Sequence, residues 1–146
     1  MAKAYREDSW RKPAQEMEIG DTFITKSRVI TRTECELFAL MGGDWFPQFF
    51  SETGAQKRGW KTQLVPGLCT LNIAYGLLMQ GGFIKDVVAM MGTKSMEFLA
   101  PVHPGDSIRV ETELSSKKEI SKGWICEYDW AIINQDETMV AKGHNT

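Results

Sequence analysis

The run of apolar and polar positions divides the chain into an opening strand, two helices and a closing series of strands. Residues 21–30, DTFITKSRVI, are rich in Thr, Ile and Val and alternate enough to predict a first strand. Thr31-Arg32-Thr33-Glu34 then fits a capping box, in which the Thr hydroxyl meets a free backbone N–H and the Glu reaches back to the cap. Leu37, Phe38, Leu40 and Met41 supply an apolar stripe, and Gly42-Gly43 marks the helix end. A second helix is predicted over residues 68–79, with Leu68, Leu71, Ala74, Tyr75 and Leu78 at helical spacing between Pro66-Gly67 and Gly81-Gly82. Strands are predicted over residues 87–91, 94–100, 107–120, 123–134 and 138–143. In the third of these, Ile108, Val110, Thr112 and Leu114 alternate with Arg109, Glu111 and Glu113, as on a half-buried strand. Asn134-Gln135-Asp136-Glu137 reads as a hairpin connection.

Two stretches lack a period. Residues 1–18 read as an irregular N-terminal lead-in, leaving 19–146 as a single domain. Residues 44–65, DWFPQFFSETGAQKRGWKTQLV, mix aromatics and polar residues in a long irregular segment, and loops of that length are usually functional. A strand, a long helix and a run of antiparallel strands predict an α+β fold, with the helix packed on a curved sheet.

Composition narrows the classes. The chain has 146 residues, 17 Lys+Arg against 19 Asp+Glu, and 42% hydrophobic residues, enough for one core and too apolar for wholesale disorder. Its net charge of −2 offers no basic footprint for nucleic acid. No apolar run is long enough to span a bilayer, and the polar start lacks the apolar centre of a signal peptide. Three scattered Cys (Cys35, Cys69, Cys126) without a C-x-x-C pair suggest a reducing cytoplasm. With two His and no paired Cys, no metal site and no cofactor are expected.

Four pieces then occur in order: Ile19-Gly20-Asp21 opening the first strand, Gly42-Gly43-Asp44 closing the first helix, Val65-Pro66-Gly67 at the second helix, and EFLAPVHPGD over residues 97–106. Together they resemble the MaoC-like hydratase/dehydratase family of hot-dog folds. The resemblance covers roughly residues 17–143. It implies a long central helix wrapped by a curved antiparallel sheet, pairing with a second copy as a homodimer or with a related chain as a heterodimer. It also implies acyl-thioester substrates, carried on CoA or acyl-carrier protein, and addition or removal of water across the α,β-carbons.

The catalytic pattern of that family is D-x-N-P-x-H on the irregular segment. Here the segment reads Asp44-Trp45-Phe46-Pro47-Gln48-Phe49, so Asp44 and Pro47 match while Phe46 and Phe49 stand at the Asn and His positions. The nearest histidine is His103, so no small shift of register restores one. Losing a positioned acid–base group forfeits about 10²–10⁴ in rate. Gly67 matches the family glycine whose backbone N–H faces the thioester oxygen, a job suited to a helix N-terminus.

Three readings follow. One is a hydratase/dehydratase variant with Asp44 and Gly67 as its catalytic groups. Another is a non-catalytic subunit shaping the acyl tunnel of a paired chain, and the third is other thioester chemistry such as hydrolysis. Trp45, Phe46 and Phe49, with Pro66, either line an acyl pocket or pack a core or dimer contact. Lys57 and Arg58, beside Lys61, either form a solvated face or meet the phosphates of CoA. Glu52 reads as a surface charge, His103 as part of a structural turn, His144 as frayed tail, and Cys69 as a buried structural thiol.

Overall fold

The computed structural model describes residues 1–6 and 13–146. Its elements are β1 (Ala4–Arg6), β2 (Thr22–Ile24), β3 (Arg28–Val29), α1 (Arg32–Gly42), α2 (Glu52–Gln56), α3 (Gly67–Gly81), β4 (Thr93–Phe98), β5 (Ser107–Ile120), β6 (Gly123–Asn134) and β7 (Met139–Asn145). The strands form one seven-stranded sheet in the order β1-β2-β5-β6-β7-β4, with β3 also paired to β5. All pairings are antiparallel except β1 with β2.

The long β5–β6 hairpin forms because both strands alternate. Ile108, Val110, Thr112 and Leu114 turn inward from β5, and Tyr128, Trp130 and Ile132 do so from β6. Their inner face packs against Cys69, Ile73, Ala74, Leu77 and Leu78 of α3 within one apolar core. Burying such side chains contributes about 1.5–3 kcal/mol each, which holds the helix to the sheet. A buried polar chain adds direction to this packing. Asn145 accepts from the Trp130 indole (3.0 Å) and the Thr93 hydroxyl (2.7 Å) and donates to Tyr128, whose hydroxyl donates to Tyr75 of α3 at 3.1 Å. Burial is the largest cause of the rise in the Tyr128 pKa.

Several expectations are corrected. The first strand is broken into β2 and β3, because the Thr25 hydroxyl takes the Val110 N–H (2.9 Å) in place of a ladder carbonyl. The lead-in is not wholly irregular. The buried Asp21 carboxylate accepts the Lys3 and Glu18 N–H groups (2.8 and 2.9 Å), which sets β1 beside β2 and buries Met17. Residues 87–91 form no strand; they precede the edge strand β4, and Val88 is 95% exposed. His144 is not in a frayed tail but inside β7, hydrogen-bonded to Asp129 of β6 at 2.8 Å. Residues 44–65 contain a 3-10 turn, Pro47–Phe49, and the short α2, capped where the Ser51 hydroxyl accepts the Gly54 N–H. Among the described residues no helix is long and apolar enough to cross a membrane.

Candidate active site

The site is assembled where α1 ends, the 44–65 segment crosses over, and α3 begins. Both bonds of the capping box form between Thr31 and Glu34, and α1 stops at Gly43, whose φ of 76° suits glycine. The turn delivers Asp44, with its N–H on the Ala39 carbonyl at 3.0 Å. The crossing segment is then clamped from beneath by Gln63, a buried side chain. Its amide donates to the Phe49 carbonyl (2.8 Å) and to Glu36 of α1 (3.2 Å). Backbone bonds from Leu64 to Gln48 (2.9 Å) and from Val65 to Val102 (2.8 Å) complete the clamp. The Cys35 thiol donates to the Leu64 carbonyl at 3.3 Å, and burial is the main cause pushing it up to about 12. His103 serves the same clamp, with Nδ1 2.8 Å from the Gln63 carbonyl.

The clamped segment, the start of α3 and the residues after β4 line an open cavity of about 600 Å³. Phe38, Phe49, Leu64, Leu68, Phe98 and Val140 make it largely apolar, with Trp60 on one side. The carboxyl of Asp44 and the hydroxyl of Thr70 are the remaining polar side-chain groups of the lining. Among the described residues nothing bonds the Asp44 carboxylate, and nothing accepts the Gly67 N–H. The N-terminus of α3 has Pro66 as its cap residue and no side-chain cap, and its first two residues, Gly67 and Leu68, both line the cavity. Glycine gives this helix start a close approach to a neighbouring side chain. A Cβ at residue 67 would lie 2.7 Å from the tip of the Phe98 ring.

Of the residues singled out from sequence, Asp44, Phe49, Pro66 and Gly67 meet at this cavity. Trp45, Phe46, Lys57 and Arg58 do not line it. Trp45 is 70% exposed and donates its indole N–H to the Leu40 carbonyl. Phe46 is 52% exposed beneath the Arg58 guanidinium, 5.4 Å from the ring centroid. Lys57 is exposed at the end of α2. Sequence reasoning missed Thr70, Phe98 and Gln63. The helical spacing of Thr70 after Gly67 was the one available signal; the other two meet the site through contacts distant in sequence.

Chemically, the arrangement offers a carboxylate and a helix-start N–H, groups of the kind that serve proton transfer and oxyanion stabilisation, at one largely apolar cavity. Among the described residues of the lining, Asp44 is the one carboxyl, and no histidine, lysine or cysteine joins it.

A central helix cradled by one curved sheet, with a crossing segment beside the helix start, is the hot-dog fold. Residues 14–127 match the family described as MaoC like domain, and the chain belongs to that family. It is 30% identical over 108 residues to Protein MaoC of Klebsiella aerogenes, covering 74% of this chain and 32% of that protein, so it spans about a third of that relative. It is 30% identical over 132 residues to the uncharacterized protein YdeM of Bacillus subtilis, covering 88% and 92% of the two chains. Among solved structures, the monoamine oxidase regulatory protein of Archaeoglobus fulgidus superimposes with a TM-score of 0.82 at 25% identity, over 99% of this chain and 94% of that one. The (R)-hydratase of A. caviae involved in PHA biosynthesis shares the fold with a TM-score of 0.76 at 24% identity, over 90% and 96%. The HadBC 3R-hydroxyacyl-ACP dehydratase complex of Mycobacterium tuberculosis shares it at 0.69 and 19% identity, over 87% and 94%.

Proposed function

We propose that this chain adds water to, or removes it from, acyl thioesters carried on CoA or acyl-carrier protein in the cytoplasm. Asp44 acts as the proton-transfer group and the Gly67 N–H as the oxyanion donor. The observation that carries this reading is the meeting of an unbonded carboxylate and an unclaimed helix-start N–H at one apolar cavity. In hydration, Asp44 takes a proton from water as the water oxygen bonds the β-carbon. The α-carbon then takes a proton back, and the enolate oxygen formed between these events sits on the Gly67 N–H. Lys57 and Arg58 meet the carrier's phosphates from the exposed end of α2, a charge match that needs no place in the cavity.

Absorbance loss on hydration of an enoyl-CoA by the purified chain tests the reading. Asp44→Asn is expected to cut turnover by about 10²–10⁴, and unchanged turnover would refute the assignment.

A second reading rests on Phe49, whose ring lines the cavity where a second proton carrier would serve. In it the chain is the non-catalytic partner that shapes the acyl tunnel of a related MaoC-like subunit. The edge strand β4 supports association with such a chain, or with a second copy, because all its residues are exposed, Phe98 and Met96 among them. Turnover by the chain alone at ordinary hydratase rates would eliminate this reading. Release of free thiol from acyl-CoA would instead point to hydrolysis.

A further inference from the structure

The apolar stripe that marks α1 in the sequence is not the face that α1 buries. Cys35 and Ala39 turn into the core, while Leu37, Leu40 and Met41 stand in solvent, Met41 at 86% exposed. They lie at i, i+3 and i+4 and so share one outward face. Trp45 extends that face, with its indole N–H on the Leu40 carbonyl at 3.3 Å, and the exposed Phe46 follows it. None of these five side chains lines the cavity. Single exposed apolar side chains are ordinary, whereas five large ones on one face mark a surface that a partner covers.

The charge beside this face indicates which partner. Lys57, Arg58 and Lys61 follow on the α2 stretch, all exposed, and none has an ion pair among the described residues. Arg58 lies over the Phe46 ring, 5.4 Å from its centroid, which joins the basic group to the apolar face. The glutamates of the same stretch are engaged, Glu34 with Arg28, Glu36 with Gln63 and Glu52 with Gln56. The uncompensated charge at this face is therefore positive, on a chain whose net charge is −2. An apolar face edged by unpaired cations complements an acidic protein surface that carries apolar residues at its centre. The face also adjoins the cavity, because Phe38, Gly42 and Asp44, from α1 and the turn after it, belong to the lining. Resting on the thioester reading above, we propose that this face docks an acyl-carrier protein, a small acidic protein that delivers its thioester on a flexible arm. The chain then acts on carrier-protein thioesters in preference to CoA thioesters.

Steady-state hydration of crotonyl-acyl-carrier protein and of crotonyl-CoA by the full chain tests this. KM for the carrier-protein thioester is expected to be about tenfold lower, and about 0.5 M salt should remove most of that advantage by screening the cations. Met41→Glu sets a negative charge in the middle of the face. It should raise KM for the carrier-protein thioester about tenfold and leave crotonyl-CoA turnover unchanged, which also shows that the variant is folded, and Met41→Leu should keep the parent's values. Equal KM for the two thioesters in the parent overturns the docking face, as does a Met41→Glu variant that keeps the parent's KM for the carrier-protein thioester, and in both cases the thioester reading stands. Self-association that Met41→Glu abolishes without changing that KM assigns the face to a second copy and overturns the proposal as well. Turnover of neither thioester refutes the hydratase reading. Calorimetric titration with crotonyl-acyl-carrier protein then tests the face by itself, and absence of binding overturns it.

Discussion

The outer face of the β5–β6–β7 sheet and the cavity at the start of α3 treat polar groups in opposite ways. On the outer face charges are matched. Arg109 reaches Glu111 (2.8 Å) and Glu137 (2.6 Å), Lys94 reaches Glu127 (2.5 Å), and His144 lies against both Asp129 (2.8 Å) and Glu127 (3.5 Å). The bond from Lys94 is the first cause holding the Glu127 carboxyl below its ordinary range. In the cavity, the Asp44 carboxylate, the Gly67 N–H and the Thr70 hydroxyl have no partner among the described residues. Paired groups on an exposed sheet face serve solubility and register and contribute little to stability. A fully buried unpaired hydroxyl such as that of Thr70 carries a cost, whereas the half-buried Asp44 and Gly67 keep access to water. Matched charges thus mark the outer face, and polar groups without partners mark the start of α3.

The largest effect is expected at Asp44. If the unpaired groups are the chemical ones, Asp44→Asn removes turnover by orders of magnitude while the thermal midpoint stays close to the parent's. Activity and melting measured on one preparation check both halves. Two of the glycines in close contact, Gly143 and Gly67, form the next contrast. A Cβ at Gly143 would lie 2.4 Å from both the Ser95 carbonyl oxygen and the Trp130 ring. That ring is buried and tied to Asn145 by its indole N–H, so neither obstacle can move aside. Gly143→Ala is expected to cost about 1–3 kcal/mol by overpacking, read as a lowered denaturant midpoint. Gly67→Ala sets its Cβ against three nearest atoms that all belong to the Phe98 ring, a side chain that is 49% exposed. Its stability loss should be smaller, and its defect should appear in thioester binding instead.

How much of this was readable in the chain follows from the range of the interactions involved. The Thr31–Glu34 box, α3 and the β5–β6 hairpin are specified by neighbours in sequence, and each formed as the spacing predicted. β1 was not readable, because it depends on the buried Asp21 carboxylate collecting N–H groups from Lys3 and Glu18. The short α2 gives too few residues for a period, and its only local signal was Ser51 before Gly54. The apolar residues 87–91 satisfied a strand pattern, yet a strand needs a ladder partner as well as a pattern. Asp44 and Gly67 were singled out because they fall on motif positions, and both line the cavity. Thr70 was not found, since what sets it apart is a missing hydrogen bond, and a missing bond has no sequence signature.

Alkaline pH probes the clamp that carries Asp44. Burial, reinforced by Cys69 and Glu36, pushes the Cys35 thiol from 9.0 to about 12. Between those values the unfolded chain releases its proton while the native chain keeps it, so the unfolded state binds fewer protons and stability falls as pH rises. Denaturant midpoints at about pH 8 and about pH 10.5 should show that fall, and Cys35→Ala should make it shallower. An identical slope in the variant would mean that the clamp does not shield this thiol.

The smallest effect is expected on the outer face, at Arg109. Its guanidinium donates to Glu137 through both terminal nitrogens (2.8 and 2.6 Å) and to Glu111 through Nε (3.1 Å) and one terminal nitrogen (2.8 Å). The bond from Arg109 is the first cause lowering the Glu137 pKa. A lowered carboxyl contributes stability above its unfolded pKa, and that contribution is lost as pH falls through the native value. Arg109→Met should therefore reduce the thermal midpoint slightly at neutral pH, and the gap to the parent should close as acid protonates Glu137. Because both partners reach solvent, about 1 M salt should close the same gap at neutral pH by screening. Turnover should be unchanged, since Arg109 does not line the cavity. A gap that persisted in both acid and salt would locate the role of Arg109 in the packing of its stem, and the outer face would then be more than a set of matched charges.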